Sequence, residues 1–509
     1  MSYQTRPPLA LIILDGWGIS ASRVGNALAL SHTPIYDDIC KRYPSARLEA
    51  SGEVVGLPPG NSGNAEAGHR TLGAGRIVKT AAARLEEDLA SGAFLRNEVI
   101  RSSFDKAAAR GSSIHLIGLL SDAGVHSSHE SLFALLRMAK AAGVHDIFVH
   151  AILDGRDVGP RTAEIYVEAL EIKMADIGVG QIASLCGRFY AMDEGQRWER
   201  TARAFTMMVH GEGERTFDAA SAIRASYLRG ISDEFIAPIV IERTPGEPLG
   251  VVREGDAIVF FNHTASPMRQ LVRSLTVSEA STPKPKVDAA CMTEYDQAFG
   301  LPFAIGEEAG RNLFSDIMGH CGIRNYRITE SARASHLSAV FNGGIPASGV
   351  ETDVFTQTRS DNLLSEPESR SFKVADAAIR CIEDDPNGVF IVNLPAADLL
   401  TASGSLDKTV EAVQFVDTCL GGIVEKIAEV NGAVIITSSH SGCEAVSEGR
   451  QSSASGTVPA NPVPMHLIDF NDLSVGLSDG SLIDVAPTML GILGLKIPSD
   501  MTGRDLRSY

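Results

Sequence analysis

This chain of 509 residues reads as an α/β protein, and three observations predict that class. Short apolar runs recur along it, each ending in polar or glycine-containing residues, as buried parallel strands do. Amphipathic helical stretches stand between the runs, and strand–helix alternation on this scale builds mostly parallel sheets flanked by helices. The length exceeds what a single hydrophobic core ordinarily serves, so two or more domains are expected.

The first run, Pro8 to Leu14, is continuously apolar and stops at Asp15 and Gly16. That places a carboxylate at the C-terminal end of a buried strand, where open α/β sheets bind ligands. ARLEASGEVVGL reads as a strand leading into PPGNSGNAEAGHR, Pro58 to Arg70, and then GAGR, Gly73 to Arg76. A backbone this rich in glycine can take positive φ and bring N–H groups close to an anion. SIHLIGLLSD, DIFVHAILDGRD, DAIVFFNH, NGVFIVNLP and AVIITSSHSG supply further strands. SSHESLFALLRMAKAAG and LDKTVEAVQFVDTCLGGIVEKIAEV are the clearest helices. Domain junctions are expected near Thr80 and around residues 293–308, with no internal repeat or low-complexity tract between them.

Composition narrows the partners. A formal net charge of −18 without a long basic block argues against nucleic-acid or anionic-membrane binding, while leaving room for a local basic pocket that holds a phosphate. The seven cysteines are odd in number, scattered, and form no CxxC pair, so they read as reduced thiols and not as a disulfide framework or zinc site. The apolar run in MSYQTRPPLALIILDG is too short for a signal peptide. No apolar stretch approaches the roughly 20 residues of a membrane span. A cytoplasmic location is expected.

LIILDGWG, Leu11 to Gly18, and PPGNSGNAEAGHR resemble the opening motifs of the cofactor-independent (2,3-bisphosphoglycerate-independent) phosphoglycerate mutases, members of the alkaline phosphatase superfamily. The likeness continues through NPVP, Asn461 to Pro464, and from IDVAPTMLGILG to MTGRDL. It implies an alkaline phosphatase-like outer domain of residues 1–79 and 309–509, interrupted by a second α/β domain of residues 80–308 that carries the substrate site. In the family the second motif reads roughly GNSEVGH, and its serine carries the phosphoryl group. Here that position is Ala65, which has no oxygen to attack with.

The family's outer domain binds two divalent metals, commonly manganese, which neutralise phosphoryl charge and activate the serine. One metal uses an aspartate and a histidine in a motif like NPDMVGHTG and a later histidine. Here AADLLTASG keeps Asp398, while the two histidine positions are Ala402 and Val458. The other metal uses the DGWG aspartate, the serine, and the Asp-His of DHGN; Asp15 and His440 remain, but the aspartate is Ser439. Asp15, Asp398 and His440 are therefore remnants, and a transition-metal site usually needs three or more well-placed ligands. The expectation is no tightly bound metal, with at most weak manganese or magnesium. Asp15 as a loop cap and His440 as a structural histidine are the plainer readings.

The inserted domain keeps more. His126 in LLSDAGVHSSH, Arg156 and Asp157 in LDGRD, and Arg188 in CGRFYAMDEGQRWER match the family's substrate positions. The family's second arginine of that last motif is Glu194, two more arginines are Thr264 and Pro267, and a hinge-adjacent lysine is Arg333. The resemblance thus implies that His126, Arg156, Asp157, Arg188 and Arg333 bind a small phosphorylated or phosphonylated acid, with His126 and Asp157 as general-base candidates. The alternative for the arginines is a set of local salt bridges. Ser62 and Cys443 as displaced nucleophiles read better as a turn serine and a buried thiol.

These losses are concerted, and the resemblance then implies a transferase without the phosphoserine relay. It would pass a phosphoryl or phosphonoformyl-type group from a CMP-activated donor to phosphoglycerate, as in phosphinothricin tripeptide biosynthesis. Two alternatives stand beside it: a non-catalytic homologue that binds a metabolite or partner, and a phosphoglycerate mutase with an altered site. A monomer is expected.

Overall fold

The computed structural model describes residues 8–277, 284–306, 311–343, 350–357, 367–401, 403–446, 460–472 and 474–508. The chain forms two compact units, Met1–Thr80 with Glu308–Ser452 and Gly456–Tyr509, and Ala81–Glu307. Both are α/β, each built on a mixed sheet.

The outer unit is organised around Leu9–Leu14, whose six residues are all buried. Its parallel neighbours are Val389–Leu394 and Ala433–Thr437. Asn325–Glu330 and Glu351–Thr356 extend the parallel part on one side. On the other side, Val463–Asp469 runs antiparallel and leads to Ser45–Glu49 and Gly480–Ser481 at the edge. A strand buried on both faces needs apolar residues at every position, because successive side chains point to opposite faces. Leu9, Leu11 and Ile13 accordingly pack with Leu72, Phe314 and Val485. Ala10, Ile12 and Leu14 pack against Val374, Val413 and Leu420 of Pro367–Asp384 and the 24-residue helix Leu406–Glu429. ARLEASGEVVGL is a strand only over Ser45–Glu49 and becomes a 3-10 turn at Gly52–Val55.

The inserted unit repeats the plan. Its parallel core comprises Phe303–Ile305, Asp288–Thr293, Ala257–Phe260, Ile114–Leu120, Ile147–Leu153 and Gln181–Gly187, in that spatial order. Ile239–Thr244 then adds antiparallel to Gln181–Gly187. The helices His129–Ala141 and Ala163–Ile177 cover one face, and Trp198–His210 and Arg269–Thr276 the other. Among the described residues no helix is long and apolar enough to cross a membrane.

Candidate functional site

In each unit, the polar residues singled out by sequence gather where parallel strands end. In the outer unit, Asp15 follows Leu9–Leu14, Asn393 lies near the end of Val389–Leu394, and Ser438, Ser439 and His440 follow Ala433–Thr437. Arg333 closes the turn after Asn325–Glu330, and Asp398 lies on the short helix Ala396–Thr401. Tight packing holds them together. Gly16 has φ +81, and a Cβ there would stand 2.8 Å from Cys443 Sγ and 3.2 Å from Asp398 Cβ, so only glycine lets the two walls approach this closely.

The glycine-rich stretch behaves differently from the anion-cradling loop expected of it. From Ala65 onward it is a helix, Ala65–Ala74, capped by Asn64, whose side chain accepts the Ala67 N–H at 2.8 Å. Gly68 is required by packing: a Cβ there would collide with the carbonyl of Ser439. Ala65 itself is buried at the first turn.

Asp15 lies at the centre of a closed network. One carboxylate oxygen accepts from His69 Nε2 at 3.1 Å and from the Ser439 hydroxyl; the other accepts from Asn393 Nδ2 at 3.0 Å. Burial works to raise its pKa, but the pull of His69, then His440 and Arg333, holds it well below the usual carboxylate range. His440 Nε2 donates to Asp398 Oδ1 at 3.1 Å, and its Nδ1 meets Ser439 Oγ at 2.8 Å. Burial alone would lower the His440 pKa; the adjacent Asp398 outweighs it and raises the value. Arg333 Nη2 binds the other Asp398 oxygen at 2.5 Å. Burial opposes the charge of Asp398 as well, yet His440 and Arg333 keep its pKa low.

Ser439, His440 and Asp398 thus form a Ser–His–Asp sequence of contacts, but the polarity is wrong for a nucleophile. The Ser439 hydroxyl donates to Asp15, a carboxylate held too acidic to take a proton, and not to His440 Nδ1 at 2.8 Å, on an imidazole whose pKa burial would lower and the adjacent Asp398 raises. A catalytic serine needs the opposite arrangement. Ser439 is a bridge between Asp15 and His440. Cys443 is fully buried with its thiol pushed well above its ordinary value, chiefly by burial, so it carries no thiolate either.

The two-metal arrangement of the family does not fit these residues. Both oxygens of Asp15, both of Asp398 and both nitrogens of His440 are engaged by protein partners. Metal ligands must instead offer free lone pairs. Among the described residues no group of three or more His, Cys, Asp or Glu side chains is placed to hold a metal ion. Ala402 and Val458 lie outside the described residues.

In the inserted unit, Arg188 begins a short helix after Gln181–Gly187 and sends Nη1 to Asp157 Oδ2 at 2.5 Å and to Asp154 Oδ1 at 2.8 Å. His126 Nε2 stands 3.5 Å from the same Asp157 oxygen, and its Nδ1 meets Thr264 Oγ1 at 2.7 Å. Burial, then the positive charge of Arg188, pushes the His126 pKa down to about 3, so the ring is neutral. Burial raises the Asp157 pKa against the opposing pull of Arg188. Arg156 is exposed. Among the described residues only its backbone N–H is tied, to Asp154 Oδ1 at 3.2 Å. His126, Asp157 and Arg188 therefore meet, Arg156 stands beside them, and Arg333 belongs to the other unit, paired with Asp398.

Sequence reasoning missed Asp154, His69 and Asn393. Asp154 is the anchor of its site: it accepts from Arg188, Ser121 Oγ and the backbone N–H groups of Arg156 and Asp157. Its signal was present in the first aspartate of LDGRD, which follows an apolar run interrupted by His150. His69 and Asn393 lie within motifs already singled out, but only their approach to Asp15 gives them a role.

A family model described as the BPG-independent PGAM N-terminus matches residues 85–297. Over 508 residues the chain is 40% identical to the 2,3-bisphosphoglycerate-independent phosphoglycerate mutase of Desulforudis audaxviator, covering 98% of this chain and 99% of that protein. Identity to the enzyme of the same name from Moorella thermoacetica is 38% over 515 residues, with 99% of each covered. The solved structure of Leishmania mexicana phosphoglycerate mutase at low cobalt concentration matches with a TM-score of 0.84 at 25% identity, covering 99% of this chain and 98% of that one. These findings overturn the expectation of phosphonoformyl-type transfer from a CMP-activated donor. That expectation rested on a few altered site positions, whereas likeness to mutases runs the whole length and favours the mutase alternative.

Proposed function

Because the chain belongs to the cofactor-independent phosphoglycerate mutase family, we propose that it acts on phosphoglycerate, as a mutase with an altered site in which residue 65 forms no phosphoenzyme. The observation that carries this reading is the inserted-unit cluster of His126, Asp157 and Arg188, set beside the exposed guanidinium of Arg156 on a chain similar to mutases from end to end. An exposed arginine without an acidic partner among the described residues, next to a buried charged cluster, suits a phosphate or carboxylate ligand. Asp157, with its pKa raised by burial, is the group suited to take up a proton, and neutral His126 is suited to orient a substrate hydroxyl. In this reading the protein works without a tightly bound divalent metal.

One observation favours a second reading, binding without turnover: the closed network engages every polar side-chain atom of Asp15, Asp398 and His440, which leaves none of the three free for phosphoryl chemistry. Calorimetry with 3-phosphoglycerate and an enolase-coupled assay, each with and without EDTA, separate the two. Binding with EDTA-resistant turnover supports the altered mutase, and binding alone supports the second reading. No binding overturns both.

A further inference from the structure

The orientation of His126 is fixed from outside its own loop. His263 and Thr264, just beyond the strand Ala257–Phe260, hold the Val125–His126 stretch at three points. The His263 backbone N–H donates to the His126 carbonyl at 2.8 Å, and its Nε2 donates to the Val125 carbonyl at 3.0 Å. Thr264 Oγ1 meets His126 Nδ1 at 2.7 Å. Thr264 is half-buried and stands where the family's motif carries an arginine, yet the group it touches belongs to the protein. A neutral imidazole carries one proton, and the partner at one nitrogen decides which nitrogen holds it. His126 is neutral, through burial and then the charge of Arg188. Its Nε2 faces Asp157 Oδ2 at 3.5 Å, and Arg188 Nη1 binds that same oxygen at 2.5 Å, which favours the anionic carboxylate. A lone pair on Nε2 would be repelled by that oxygen, whereas an N–H is attracted. A threonine hydroxyl can donate or accept, so the arrangement without repulsion has Thr264 donating to Nδ1 and the ring proton on Nε2.

We propose that Thr264 is a positioning residue of the inserted-unit site: its hydroxyl ties His126 Nδ1 and aims the Nε2–H at an oxygen of bound phosphoglycerate. This role rests on the reading of the cluster as the phosphoglycerate site. The 3.5 Å separation from Asp157 is longer than a normal hydrogen bond, and the His126 side chain is 19% exposed, so the Nε2–H stays open to a ligand oxygen entering beside Asp157. Without the hydroxyl, Nδ1 becomes an acceptor with no donor, and the ring loses the contact that sets its angle.

The test is made on the full chain with nitrogen-labelled imidazoles, read by proton–nitrogen correlation spectra without ligand and by calorimetry with 3-phosphoglycerate. The His126 signals are those missing from His126→Ala. Wild type and Thr264→Ser are expected to carry the proton on Nε2, with Nδ1 shifted upfield by the hydrogen bond it accepts. In Thr264→Val, and in Thr264→Ala as the second variant without a hydroxyl, the Nδ1 signal should move to the position of a free acceptor. Thr264→Val should bind 3-phosphoglycerate about three- to tenfold more weakly than wild type, the range for one neutral hydrogen bond, and Thr264→Ser should recover the affinity. In a His126→Ala background Thr264→Val should cost nothing further, because its effect passes through the ring. Four results overturn the proposal: a wild-type ring protonated on Nδ1, an Nδ1 signal unmoved by loss of the hydroxyl, Thr264→Ser as weak as Thr264→Val, or an equal loss in the His126→Ala background. The expected spectra with no binding by wild type support the positioning of His126 and overturn the phosphoglycerate reading alone.

Discussion

Replacing Arg188 by methionine tests whether the inserted-unit cluster is held by charge. The guanidinium is 8% exposed and bridges Asp154 and Asp157, whose side chains are 1% and 7% exposed. Breaking a buried pair from one side typically costs about 3–5 kcal/mol, because a charge is left uncompensated. Asp154 keeps the Ser121 hydroxyl and two backbone N–H donors, so most of the damage falls on Asp157. That group has an escape: it can take a proton. From an ordinary value of 3.8, staying protonated at neutral pH costs about 4 kcal/mol, at about 1.4 kcal/mol per unit. The expected loss is therefore about 3–4 kcal/mol near neutral pH. Two consequences follow from the same arithmetic. Arg188→Met/Asp157→Asn should recover at least about half the loss, since the uncompensated charge is gone. The loss should also shrink as pH falls, because the variant's Asp157 has a folded pKa above its unfolded one and gains protons on folding. The chain offers a clean probe: of its two tryptophans, Trp17 is in the outer unit and Trp198 in the inserted one. Urea unfolding followed by fluorescence in a Trp17→Phe background thus reports the inserted unit. A loss below about 1 kcal/mol with no recovery from Asp157→Asn refutes the charge argument, because pairs worth that little behave as exposed ones.

Gly68→Ala places a Cβ against the Ser439 carbonyl and should lower outer-unit stability by about 1–3 kcal/mol or more, as overpacking does; Trp17 fluorescence in a thermal melt measures it. Arg156→Ala should weaken 3-phosphoglycerate binding by about 1.5–3 kcal/mol, the range for a charged hydrogen bond, yet leave stability within about 0.5 kcal/mol, as expected for an exposed side chain; calorimetry and urea midpoints decide. A third outcome concerns acid. A buried chain runs from Ser184 through His150 and His115 to Asp256, with contacts of 2.7, 2.9 and 3.2 Å. Burial, then His115, holds the His150 pKa well below its ordinary 6.5. The unfolded state therefore binds the proton first. The associated stability is fully present above about pH 6.5 and is lost on acidification at up to about 1.4 kcal/mol per unit. His150→Asn should flatten that slope in urea midpoints taken from about pH 7.5 down to about pH 5, and an unchanged slope would count against the chain as its source.

The sequence determined the strands and which ends of them carry chemistry. Six consecutive apolar residues ending in an aspartate admit little besides a buried parallel strand, which places Asp15 by pattern alone; Asp154 follows a similar run interrupted by His150, and its signal was weaker. The lost oxygen at Ala65 was likewise a fact of sequence, since no fold restores an absent nucleophile. Tertiary structure alone decided what the survivors do. Arg188 and Arg333 look equivalent in one dimension, as arginines expected to bind the same substrate, but they lie in different units and bind different carboxylates. Gly68 looked like part of an anion loop and proved to be the point where a helix rests on the Ser439 carbonyl. Ser439, His440 and Asp398 fall in two motifs about forty residues apart, with contacts of 42 residues in sequence separation, and their meaning depends on which atom donates to which. Apolar periodicity is a local property that one strand or helix expresses by itself. The state of a charged group is set by neighbours brought from distant strands, and those become neighbours only when the sheet is assembled.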